Sequence, residues 1–113
     1  MKYSVYVTKH FIRQLKKIKK KFPNIKKDIL KILKTFSPEN EVHIGKSIFK
    51  IRIKSSDTNQ GKSGGLRSYI YLFRKKKLLI PIYIYTKSEK ESLSENELDY
   101  HFGKILEEIL EKL

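Results

Sequence analysis

The chain has 113 residues, 39% of them apolar and 12% aromatic: enough for one packed core, and too apolar for a disordered chain. It lacks cysteine, which excludes disulfides and thiolate metal sites, and no apolar run reaches the length of a membrane span. A formal charge of +14 directs attention to polyanionic partners.

Residues 3–8, "YSVYVT", alternate and are rich in β-formers, so they predict a first strand instead of a secretory leader, and a cytoplasmic protein is expected. From about Lys9 to Phe22 the apolar residues Phe11, Ile12, Leu15, Ile18 and Phe22 form a helical stripe with lysines opposite. Pro23 interrupts it. A second stripe runs through Ile25, Ile29, Ile32, Leu33 and Phe36 and ends near "SPEN", where Pro38 forbids continuation. So short a break predicts a helical hairpin packed on a sheet.

Residues 47–54, "SIFKIRIK", predict a second strand with Ile48, Lys50, Arg52 and Lys54 on one face and Phe49, Ile51 and Ile53 on the other. The polar turn formers "SSDTNQGKS" follow, then a third strand over 65–73 and a basic turn, "RKKK". A fourth strand spans about 78–85, and Pro81 within it predicts an edge position or a bulge. The last helix, from about Glu95 to Leu113, carries Leu98, Phe102, Ile105, Ile109 and Leu113, widened by Leu106 and Leu110; its other face is acidic. The order β-α-α-β-β-β-α gives an α+β single domain over 1–113, with an N-terminal strand and helical hairpin, a three-stranded antiparallel meander and a C-terminal helix.

Charge is divided unevenly along the chain. Residues 1–88 hold 23 Lys or Arg against 4 Asp or Glu, whereas 89–113 hold 3 against 8. With 22 Lys, 15 Ile and no Ala, an AT-rich coding bias accounts for much of the lysine. It does not account for arginine. There are four, and two of them, Arg52 and Arg67, fall between Phe49 and Phe73. Arginine supplies a planar fork for phosphate that lysine lacks.

Lys50, Arg52 and Lys54 alternate along a strand, about 6.6 to 6.8 Å apart, close to the spacing of successive phosphates. The same alternation also suits the solvated face of an antiparallel sheet. Arg67 sharpens the reading, because a hairpin brings strand 65–73 beside 47–54 and sets Arg67 next to the cation row. Gly64 and Gly65 before it permit close backbone approach, and backbone N–H groups beside Lys62 would hold an anion, although the same glycines also suit a simple bend. Tyr83, Tyr85 and Lys87 alternate at the close of the fourth strand, where aromatic rings beside cations suit base stacking and equally suit strand packing. His10, His43 and His101 are scattered over three elements without metal-ligand spacing, so surface or capping roles are expected of them. No nucleophile or metalloprotease motif is present.

The run "KIRIKSSDTNQGKSGGLRSYIYLF" followed by "LLIPIYIYTKSEKESLSENEL" resembles the RelE/ParE toxin superfamily of type II toxin–antitoxin systems, nearest its HigB-like branch. The pattern K-x-R, then G-K-x-G-G-x-R, then Y-x-K-x-E carries the likeness over residues 47–98; residues 3–36 agree in element order. The resemblance implies an mRNA interferase without metal or other cofactor, in which the RNA 2′-OH attacks the adjacent phosphate. Its implied partners are mRNA on the ribosome and a cognate antitoxin of helix-turn-helix type. By position, the resemblance puts Lys50 and Arg52 on the cationic strand, Arg67 on the arginine that opens the next and Lys87 in the closing segment. Together with the reading of the residues, this makes Lys50, Arg67, Lys87 and Tyr85 the expected catalytic residues, and Arg52, Lys54 and Lys62 the expected RNA-binding ones. Tyr85 stands in for a tyrosine that the RelE branch keeps further on, where this chain has Leu93-Ser94, which leaves the general base open. Fixed cations would stabilise the phosphorane, and cation crowding would favour a neutral lysine amine to take the 2′-hydroxyl proton.

The acidic last segment is expected to cover the core, to pair with the basic body, or to be displaced by an antitoxin. Two other functions fit the residues: a ParE-like toxin that binds gyrase, and a non-catalytic nucleic-acid-binding module with steep salt dependence.

Overall fold

In the computed structural model, which describes residues 2–57 and 65–113, the period-two segments assemble into one five-stranded sheet of order β1-β5-β4-β3-β2. The strands are β1 Ser4–Val5, β2 Val42–Gly45, β3 Ile48–Ile53, β4 Leu66–Phe73 and β5 Leu78–Thr86. The helices are α1 Lys9–Lys19, α2 Ile25–Lys34 and α3 Glu95–Lys112. Strands β2 to β5 form an antiparallel meander, and β1 joins β5 in parallel through Ser4↔Leu78 and Val5↔Leu79. None of the described helices is long and apolar enough to cross a membrane.

The meander has four strands where the sequence predicted three. Strand β2, "VHIG", is short and solvated, with Val42 65% exposed, so it carries no buried alternation to announce it. The first strand is shorter than 3–8: Tyr6 N–H still bonds the Leu79 carbonyl at 3.0 Å, but Thr8 then caps α1, its side chain accepting from Phe11 N–H at 3.1 Å. Helix α1 stops at Lys19 instead of reaching Phe22, which remains buried through the following turn. Pro81 sits at a bulge inside an interior strand: Tyr69 pairs with Tyr83 but Ile70 with Pro81, so Ile82 is the extra residue where a ladder donor is absent.

Alternation then sorts the core onto two faces. Phe49, Ile51, Ile53, Leu66, Ile70, Leu72 and Leu79 pack with Phe11, Ile25, Ile29 and Leu33 of α1 and α2. Ile48, Tyr69, Ile80, Ile82 and Tyr85 pack on the other side with Ile105 and Ile109 of α3. Each such side chain contributes about 1.5–3 kcal/mol on burial. Helix α3 starts at a capping box, in which Ser94 N–H donates to Glu97 at 2.9 Å and Glu97 N–H donates to the Ser94 hydroxyl at 3.1 Å.

Candidate nucleic-acid interface

The register of β3, β4 and β5 places two rows on the α3 side of the sheet. Arg52 pairs with Arg67 and Arg67 with Tyr85; two residues along, Lys50 pairs with Tyr69 and Tyr69 with Tyr83. Directly paired residues hold their Cβ atoms about 4.5–5.5 Å apart, so the two arginines stand side by side. Arg52 is exposed, whereas Arg67 is 7% exposed. Among the described residues the Arg67 guanidinium has one hydrogen bond, from Nη1 to the Leu66 carbonyl at 3.2 Å. The salt bridge among those residues joins Lys90 to Glu97 at 2.8 Å, so no carboxylate there neutralises the arginine pair. A cation withdrawn from water with no counter-charge costs several kcal/mol of effective desolvation, and a second cation opposite adds repulsion. The arrangement suits an incoming anion with oxygens for both forks.

Lys50 lies beside this pair, tied to the segment that follows β5. Its Nζ donates to the Glu91 carbonyl and to the Ser92 hydroxyl, both at 2.7 Å, and lies 5.9 Å from the Tyr69 ring centre. The Tyr69 hydroxyl accepts from Leu93 N–H at 3.1 Å, and the Tyr85 hydroxyl donates to the Glu91 carbonyl at 3.0 Å. Three side chains thus strap residues 91–93 to the sheet. Tyr85 is fully buried, and burial together with the neighbouring Tyr69 pushes its hydroxyl well above the usual tyrosine range. The Tyr85 hydroxyl, expected at the reacting groups, is enclosed under this strap.

Lys87 is exposed, and its backbone N–H meets the Gly65 carbonyl at 3.5 Å, which brings it alongside the start of β4. Lys54 departs from the expected row. Strand β3 ends at Ile53, and Lys54 lines a hollow with Asp28, Lys31 and Thr35 on the α2 side. The cause is the strand exit: Asp28 accepts from the Ser56 N–H and hydroxyl at 2.9 and 3.1 Å, which draws the chain towards α2. Lys62 and Gly64 lie outside the described residues.

Two of the three histidines meet, against the expectation that they are scattered. His10 Nε2 of α1 and His101 Nδ1 of α3 are 2.8 Å apart, and Tyr83 stacks on His101 with ring centres 4.3 Å apart. Burial, then the Arg13 and Lys104 charges, hold His10 below the usual histidine range against an opposing Glu108. Burial and the His10 neighbour do the same for His101. Glu108 fastens α3 at a second point, accepting from the Tyr6 hydroxyl at 3.0 Å and from Lys9 N–H at 2.8 Å, at the positive end of α1. The acidic helix therefore covers the core and docks on a helix terminus; among the described residues it makes no ion pair with the basic body. No three His, Asp or Glu side chains among those residues converge as metal ligands would.

Tyr69 was legible by alternation, two residues after Arg67 on the same face. The histidine pair was not, because 91 residues separate its members.

A family model described as "RelE toxin of RelE / RelB toxin-antitoxin system" matches residues 3–111. Among curated proteins nothing matches. Among solved structures, an arginine-to-alanine double mutant of the E. coli toxin RelE in the free state aligns with a TM-score of 0.54 at 17% identity, over 80% of this chain and 90% of that one. At that identity the likeness speaks for a common fold, and the family match spans nearly the whole chain. The chain belongs to the RelE toxin family of RelE/RelB toxin–antitoxin systems.

Proposed function

We propose that this toxin is a ribosome-dependent mRNA endonuclease that stops translation by cutting the message. The observation that carries the reading is the opposed pair Arg52 and Arg67, one exposed and one buried, without a carboxylate partner among the described residues. In the reaction the 2′-oxygen forms a bond to phosphorus and the bond to the 5′-oxygen breaks, giving a 2′,3′-cyclic phosphate and a 5′-hydroxyl. One proton leaves the 2′-hydroxyl and one arrives at the departing oxygen. Arg67, with Arg52 beside it, stabilises the extra charge of the phosphorane. Lys50 and Lys87 flank that pair and are the groups assigned to proton transfer, and Arg52 also binds the backbone. The buried Tyr85 holds the strap. An antitoxin of helix-turn-helix type would neutralise the toxin by masking the same cations.

Primer extension on an mRNA in a purified translation reaction tests the proposal. The expected result is cuts at discrete in-frame positions that vanish with Arg67→Ala. Intact mRNA at high toxin concentration would overturn it and return attention to gyrase binding or to RNA binding without cleavage.

A further inference from the structure

A second cleft opens between α1 and α3, at the edge of β5 beyond the end of β1. It measures about 460 Å³, and its lining includes His10, Arg13, Gln14, Tyr83, Tyr100 and His101. Three features set it apart from an ordinary surface fold. Tyr100 is 59% exposed, with its ring edge-on to His101 at 5.2 Å and the Lys104 Nζ 5.6 Å from its centre, so an accessible aromatic ring stands in the lining with Arg13 and Lys17. The Gln14 carbonyl oxygen accepts from Ile84 N–H at 3.3 Å, which fixes the amide and leaves its buried Nε2 without an acceptor among the described residues. Glu89, the acid in the lining, is already engaged by Thr86, whose N–H and hydroxyl donate to it at 3.4 and 3.0 Å.

A rank of stacked rings, of which Tyr69 and Tyr85 are buried, joins the lining of the cleft to the cationic row. Tyr69 and Tyr85 stack at 6.0 Å, Tyr83 and Tyr85 at 6.0 Å, and Tyr83 stacks on His101 at 4.3 Å. With strands about 4.8 Å apart, this rank of rings spans one or two nucleotide spacings from Arg67. Rings, cations and an amide donor without a partner among the described residues together are the chemistry that holds an unstacked base and its phosphate.

We propose that the cleft between α1 and α3 is a subsite for a nucleotide of single-stranded RNA, its base stacked on Tyr100 with its edge towards His101, and its phosphate held by Arg13 and Lys17. The proposal rests on RNA being the substrate and adds to that reading a place for a residue flanking the cut. It also gives the histidine pair a use: a phosphate drawn to Arg13 lies beside His10 and favours its protonated ring.

The test is an NMR titration of labelled toxin with a mixed-sequence hexanucleotide carrying 2′-O-methyl groups, which cannot be cut by 2′-oxygen attack. The histidine ring signals report, and His43, exposed on β2, is the internal control. The expected result is saturable shifts of the His10 and His101 signals with His43 still, and binding weakened about tenfold in Tyr100→Ala and in Arg13→Ala. Both side chains are exposed, so both variants retain the fold. Shifts at the Arg52 and Arg67 side chains with silent His10 and His101 rings would overturn the subsite and leave the endonuclease reading standing. Unchanged affinity in both variants, or no shift anywhere, would overturn it equally. Cleavage by the unaltered toxin in the translation reaction judges the endonuclease reading separately.

Discussion

Arg52 and Arg67 occupy directly opposed positions on β3 and β4, and the buried one of the two, 7% exposed, has only the Leu66 carbonyl as hydrogen-bond partner among the described residues. A fold selected for stability alone has no use for two adjacent guanidiniums that no carboxylate among the described residues pairs with. Replacing Arg67 by Met, similar in length and apolar, should therefore leave the melting temperature unchanged or raise it. Cleavage should fall by about 10²–10³-fold, as on loss of a donor to a developing oxyanion. Thermal melts and cleavage rates measured on the same preparation decide. A large drop in Tm with cutting preserved would make Arg67 a structural residue.

Tyr85 and Lys50 both reach the Glu91 carbonyl, at 3.0 and 2.7 Å. Tyr85→Phe removes one donor while Lys50 keeps the carbonyl satisfied, so the loss should be about 1 kcal/mol with cleavage retained. Lys50→Met removes both a strap contact and a cation, and should reduce cleavage much more than stability. If Tyr85→Phe instead abolishes cutting, the buried hydroxyl takes part in the chemistry.

The His10–His101 pair sets an acid limit on stability. Both rings sit below the ordinary value of about 6.5 because folding buries them. Arg13, Lys104 and Glu108 face His10, and Glu97 and Lys90 face His101. Above that value both rings are neutral in folded and unfolded chains alike. As pH falls below it the unfolded chain takes up protons first, so folding weakens progressively towards the depressed folded values. Thermal melts from about pH 7.5 to 5 should show a falling Tm, with a shallower fall in His10→Gln. Parallel slopes in the two proteins would place the acid sensitivity elsewhere.

Glu108→Ala removes acceptors from both the Tyr6 hydroxyl and the first N–H of α1. The expected loss is about 1–2 kcal/mol. A double-mutant cycle with Tyr6→Phe should show non-additivity of about 0.5 kcal/mol or more; strict additivity would mean that the two groups do not share a bond that matters.

Lys54 and Arg52 separate a solvated lysine from a row member. Arg52→Ala should lower RNA affinity and reduce the slope of log K against log salt by about 0.7. Lys54→Ala, turned towards α2, should leave cleavage unaffected and RNA affinity little altered. Equal effects from the two would restore Lys54 to the row.

The sequence alone determined what short-range physics controls. Helical spacing located α1, α2 and α3 to within a few residues, and strict alternation in β3 assigned Lys50 and Arg52 to one face and Ile51 and Ile53 to the other. The K-x-R and G-G-x-R patterns pointed to the family whose model matches residues 3–111. Strand β2 escaped notice because exposed residues leave no hydrophobic period, and Lys54 was misplaced because its direction depends on Asp28 of another element. Only the tertiary structure decided that Arg67 is buried opposite Arg52, that Tyr85 holds a strap, and that His10 meets His101. Those facts depend on strand register and helix docking, which arise from contacts between residues far apart in the chain and leave no local spacing to read.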